Sequence, residues 1–159
     1  MGALMTIQDL GSLGELVAAI ATVATLAYLA VQIRHNTIST RAATLQSAIQ
    51  FSIGFLESLY RDTELALLFN RGRQDQQSLS DDERVRFFLI MLGFMRMAQN
   101  VHHQFEQGLM SDDIWSGYRQ SILRWVDSPG SRQWWTENAE RFSGTFRSYL
   151  DRELERRAE

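Results

Sequence analysis

The run "NVHHQFE", residues 100–106, holds the side chains best suited to metal or acid–base chemistry: His102, His103 and Glu106. On a helix, neighbouring residues point about 100° apart, so at most one of the two imidazoles pairs well with Glu106. The pattern is neither the His-Glu-x-x-His of zinc proteases nor the Glu-x-x-His pairs of di-iron bundles, and no metal is expected. Asp81, Asp82 and Glu83, and later Asp112 and Asp113, fall where helices should begin and complement the helix dipole. No serine lies in Gly-x-Ser-x-Gly, and "GSLGEL" lacks the lysine and spacing of a phosphate loop. The chain has no cysteine, which excludes disulfides and thiolate chemistry. The sequence therefore nominates no catalytic, cofactor-binding or metal-binding residue, and an enzyme is not expected.

Another kind of chemistry, hydrogen bonding between helices, is suggested by "GELVAAIATVATLAYLAVQIRHNT", residues 14–37. No charged side chain occurs from Leu16 through Ile33, yet polar and small residues recur there at alternating spacings of three and four: Glu15, Ala18, Thr22, Thr25, Leu29, Gln32 and Asn36. The spacing continues through Ser39, Ala43, Gln46 and Gln50. The other side carries Leu16, Ala19, Ile20, Val23, Leu26, Ala27, Ala30 and Ile33, which suit lipid. A 3-4 repeat is the seam of a left-handed bundle, and small or hydroxylated residues inside a membrane usually face other helices. The expected role is self-association, or binding of a membrane partner subunit. Two alternatives share the residues: a small homo-oligomeric pore lined by the stripe, and threonines that merely bond the carbonyl one turn back.

The element that must carry this stripe is an N-terminal helix whose uncharged part is about 27 Å long, close to the hydrocarbon thickness of a bilayer. No Lys or Arg precedes the apolar run, so it is expected to persist as an anchor rather than be removed as a signal peptide. Asp9 and Glu15 precede it, whereas Arg34, His35 and Arg41 follow, which places the N-terminus outside and the remainder in the cytoplasm. The competing expectation is a soluble helical protein in which the same helix is buried. The expected organisation is a membrane anchor at 1–36 and a cytoplasmic helical domain at 37–159, with a stalk helix at 37–60 and a bundle at 62–155. The stalk should turn Ile38, Ala42, Leu45, Ile49 and Leu56 toward the bundle.

Within the bundle, a short helix from Asp62 to Asn70 should stop near Gly72, with "RGRQDQQSLS" as a loop. Ser80 and Glu83 form a capping box for a helix containing "FFLIMLGFM", which should be central and apolar nearly all round. Arg86 and Arg96 bracket that run and make it far too short to span a bilayer. Gly108 ends it. Ser111 starts a helix to about Asp127, Pro129 turns the chain into a short helix, and Ser143 starts the last one, with Phe146, Leu150 and Leu154 inward. Trp115, Trp125, Trp134 and Trp135 are expected in the core, although Trp134 and Trp135 are adjacent and one should be partly exposed. The fold class is all-α, a long N-terminal transmembrane and stalk helix followed by a compact helical bundle. A single proline among 159 residues agrees with that, and a net charge of −3 gives no footprint for nucleic acid.

"LGELVAAIATVATLAYLAVQIRHNT", "GLMSDDIWSGYR", "SPGSRQWW" and "FSGTF" together resemble a widespread group of short bacterial proteins with an N-terminal hydrophobic helix and an Arg- and Trp-rich helical body. The matching positions are Leu13, Gly14, Glu15, Tyr28 through Arg34, Asn36, Thr37, Gly108, Leu109, Trp115, Pro129, Gly130, Trp134, Trp135, Phe142 and Phe146. The resemblance implies a bacterial single-span protein and carries no activity, cofactor or site; with the flanking charges, the expected location is the bacterial inner membrane.

Overall fold

The computed structural model describes residues 7–158, which form helices and short turns with no strand among them. The helices are α1 (Ile7–Arg61), α2 (Thr63–Gln74), α3 (Asp81–Glu106), α4 (Asp112–Val126), α5 (Pro129–Asn138) and α6 (Gly144–Glu155). The all-α expectation of one long apolar N-terminal helix followed by a helical body is met. The chain divides into two units at Ala42 and Ala43.

The helix ends follow local chemistry. Asp62 accepts a hydrogen bond from the Leu65 amide at 3.0 Å and starts α2. At the start of α3, the Glu83 amide donates to Ser80 Oγ at 3.4 Å while the Ser80 amide donates to Glu83 Oε2 at 3.0 Å, a complete capping box. Gly108, at φ +68°, ends α3. Its amide donates to the Phe105 carbonyl at 2.8 Å and that of Leu109 to the Gln104 carbonyl at 3.0 Å, the two bonds of a Schellman motif. Pro129 opens α5, where a missing N–H costs nothing, and Ser143 caps α6.

α2 departs from expectation. It runs through Gly72 to Gln74, and a 3-10 turn at Gln76–Ser78 occupies part of the segment expected as loop. Gly72 serves close approach rather than helix breaking. A Cβ there would lie 2.5 Å from Phe87 Cδ2 on α3, and a Cβ on Gly130 would lie 2.0 Å from the Gly72 carbonyl oxygen. Gly130 lets the backbones of α2 and α5 nearly touch, and Gly72 leaves room for the Phe87 ring of α3.

α3 packs on α2, α4, α5 and α6, burying Phe87, Met91, Phe94, Met95, Ala98 and Val101. Val85 and Leu89 on the same helix stay exposed, so its apolar surface is not wholly enclosed. Trp134 and Trp135 are 1% and 3% exposed, correcting the expectation that adjacency would leave one at the surface. α5 is covered on two sides: Trp134 meets Phe88, Trp135 meets Phe146, and the Trp135 indole donates to Asp151 Oδ1 at 2.7 Å.

The segment of α1 after Ala42 also corrects a reading. Ala48, Ser52, Phe55 and Leu59 face the body, about a quarter turn from the face expected to do so. Phe55 decides this orientation by inserting its ring among Phe69, Phe94 and Trp125, with centroids at 6.1, 5.5 and 5.7 Å. Ile49 is consequently turned aside and exposed, while Leu56, also largely exposed, borders a cavity with Phe94, Met97 and Trp125 of the body.

Candidate functional site

The stripe of Glu15, Ala18, Thr22, Thr25, Leu29, Gln32 and Asn36 lies on α1, and every residue of that helix from Gly14 to Ala43 is exposed within the chain. This is the one helix, among the described residues, long and apolar enough to cross a membrane, and none of its apolar window is buried.

Within the stripe the polar groups divide into two kinds. The Thr22 and Thr25 hydroxyls donate to the Ala18 and Ala21 carbonyls at 2.9 and 2.8 Å, the back-bonding that makes threonine tolerable in an apolar helix. Their protons are used, and only their oxygen lone pairs remain to accept from outside. The primary amides of Gln32 and Asn36, one turn apart, have no hydrogen-bond partner among the described residues. Leu29, Gln32, Ile33, His35, Asn36 and Ser39 border a shallow hollow on this face. A primary amide carries both donors and acceptors, so each of these side chains can both give and take a hydrogen bond.

In the body, a cavity of about 210 Å³ is lined by Ser52, Phe55, Phe94, Met97, Ile122 and Trp125, among others. Its walls are aromatic and thioether. The Ser52 hydroxyl donates to the Ala48 carbonyl at 2.9 Å, which ties up its proton. Leu56, Tyr118 and Ser121 complete the lining, and the Ser121 hydroxyl donates to the Gly117 carbonyl at 3.0 Å.

His102 is buried, stacked on Tyr149 with centroids 4.4 Å apart, and its Nε2 lies 3.8 Å from Glu106 Oε1. His103 is exposed on the other side of the helix, and no group of three metal-ligating side chains forms among the described residues. Burial pushes the His102 imidazole below its usual pKa. Glu106 opposes that shift, while His103 and Arg152 add to it. A histidine that is neutral when folded binds fewer protons than it does unfolded, so stability is full above the unfolded pKa of about 6.5 and falls as the pH drops below it. The body is therefore expected to lose midpoint denaturant concentration as the pH falls below about 6.5, and His102→Phe to lose less over the same range. Urea titrations at several pH values check this, and parallel losses in the two proteins would refute it.

The sequence reading missed the polar group beside that histidine. Tyr149 is pushed up to about 12, first by burial and then by the Glu153 charge, with Arg119 partly offsetting both. Glu153 is itself buried and meets Arg119 at 2.5 Å. Its signal was faint: "SYLDRELERR" reads as an amphipathic helix end, and nothing local says which acid points inward.

No family model, curated protein or solved structure matched the chain. Its function is therefore argued from its own residues, and from α1 above all.

Proposed function

We propose that the chain is a single-pass protein of the bacterial inner membrane, an interaction or accessory subunit rather than a catalyst, that self-associates or binds a partner subunit through the polar face of α1. The observation that carries this reading is an apolar helix exposed from Gly14 to Ala43, with the amide of Gln32 at the end of its uncharged part and that of Asn36 just beyond Arg34, neither partnered among the described residues. Exposed apolar side chains along about 27 Å of helix are costly in water and at home in a bilayer. An amide facing hydrocarbon without a partner costs several kcal/mol, whereas a hydrogen bond between membrane helices contributes about 0.6 to 2 kcal/mol, so pairing across helices is the favourable outcome. Arg34, His35 and Arg41 on the C-terminal flank keep that side in the cytoplasm, with the N-terminus outside.

Full-length protein expressed in bacteria is expected to stay in the membrane pellet through an alkaline carbonate wash. The double variant Thr25→Leu with Gln32→Leu should stay there equally but run at a different oligomer size in mild detergent. Release of the wild type into the supernatant would overturn the anchor, and an unchanged size would overturn the polar seam.

A further inference from the structure

The quarter-turn rotation of this part of α1 leaves a second stripe, at the rim of the body contact, largely exposed. Leu45 is half-buried, while Ile49, Ile53, Leu56 and Tyr60 are 39%, 58%, 49% and 72% exposed. At 100° per residue these five lie within about 40° of one line, a single stripe parallel to the helix axis. In the sequence the spacing continues back through Ala42 and Ile38, giving intervals of 4-3-4 twice over, two repeats of eleven residues. An eleven-residue repeat corresponds to about 3.67 residues per turn, the period of nearly straight helices that pair with a slight right-handed twist. No charged side chain falls on this stripe, so laying it against its own copy brings no like charges together.

We infer that this face packs, parallel and in register, against the same face of a second copy of the chain. The inference rests on the proposed anchor and names the surface outside the bilayer that completes self-association. Area argues for a copy rather than a soluble partner. From Leu45 to Tyr60 the stripe is about 23 Å long on a helix about 10 Å wide, which offers on the order of 300 to 400 Å² per copy. A stable interface between free proteins takes roughly 800 Å² per partner. A soluble partner would have to bind on the smaller area alone. A copy inserted through the same segment already has the same orientation, and its tethering raises the effective concentration enough for a small contact to hold.

The absence of cysteine gives a blank background for testing this in the full-length protein in native membranes. Single cysteines at Ile49, Ile53 and Leu56 are expected to form disulfide-linked dimers under a mild added oxidant. Cysteines at Ser47 and Ser58, exposed on the far side of the helix, should do so at least about fivefold more slowly, because a disulfide needs Cα atoms within about 7 Å. Thr25→Cys and Leu29→Cys report on the polar seam in the same membranes. Cross-linking at 25 and 29 but not at 49, 53 and 56 would overturn this inference and leave the proposed function standing. Equal rates at 49 and 58 would mean random collision and also overturn it. Dimers at 49, 53 and 56 without any at 25 and 29 would support the stalk contact and remove the polar seam. Failure at every position would remove both.

Discussion

Replacing Gly130 with alanine is expected to cost the body of the protein about 3 to 5 kcal/mol, enough to leave much of it unfolded at ordinary temperatures. The added Cβ would sit 2.0 Å from the Gly72 carbonyl oxygen and 3.0 Å from the Arg73 carbonyl carbon and oxygen. These are backbone atoms of α2, so no rotamer change relieves the clash. The helices must instead move apart. Gly130 also accepts a hydrogen bond from Gln76 Nε2 at 2.9 Å, and its neighbour Ser131, fully buried, pairs with Ser128 Oγ at 3.0 Å. Backing α5 away breaks the Gln76 contact and withdraws Trp134 and Trp135 from the aromatic core. Domains of this size are stable by only about 5 to 15 kcal/mol, so the loss is a large share of the total. Gly93→Ala and Gly117→Ala are the controls: nothing lies within 4 Å of either new Cβ, and each should stabilise its helix by about 0.5 to 1 kcal/mol. Tryptophan fluorescence during urea unfolding of the full chain in detergent measures all three. A Gly130→Ala midpoint matching the wild type would show that α2 and α5 are not in backbone contact.

That glycine pair marks where sequence reading ends. A capping box, an aspartate cap, a Schellman glycine and a proline at the first turn are local devices, and Ser80 with Glu83, Asp62, Gly108 and Pro129 were each legible from a few residues. Gly72 was not, because a glycine inside a helical pattern signals either a stop or a close crossing, and only Phe87 and Gly130, distant in sequence, distinguish the two. The face of α1 that meets the body was misjudged for a related reason. Counting aliphatic residues favoured Ile49 and Leu56, whereas the aromatic cluster selects Phe55, and with it Ala48, Ser52 and Leu59. The stripe from Glu15 to Asn36 needed no tertiary information to be placed on one face, since the 3-4 spacing does that by itself. Which of its polar groups were already spoken for did need the structure: Thr22 and Thr25 turn inward to their own backbone, and Gln32 and Asn36 do not.

Arg119→Met should produce the second large loss, about 2 to 4 kcal/mol at neutral pH. Glu153 is only 7% exposed, and its carboxylate is held by Arg119 at 2.5 Å and by Arg156 at 3.2 Å. Breaking a buried ion pair from one side costs about 3 to 5 kcal/mol, because the remaining charge is left in a poorly solvated place. Here the figure is reduced, since the Arg119 side chain is itself 38% exposed and water partly screens the pair. Arg156, far more exposed, is a weak substitute. The cost belongs to the stranded carboxylate rather than to the missing guanidinium, and that distinction is measurable. In the double variant Arg119→Met with Glu153→Gln, no charge is left behind, and most of the stability should return, giving a coupling on the order of 1 to 3 kcal/mol in a double-mutant cycle. Additive losses would mean that Glu153 reaches water by itself. In that event the tie between Glu153 on α6 and Arg119 on α4 would contribute nothing, and α6 would be held by the packing of residues such as Phe146, Tyr149, Leu150 and Leu154.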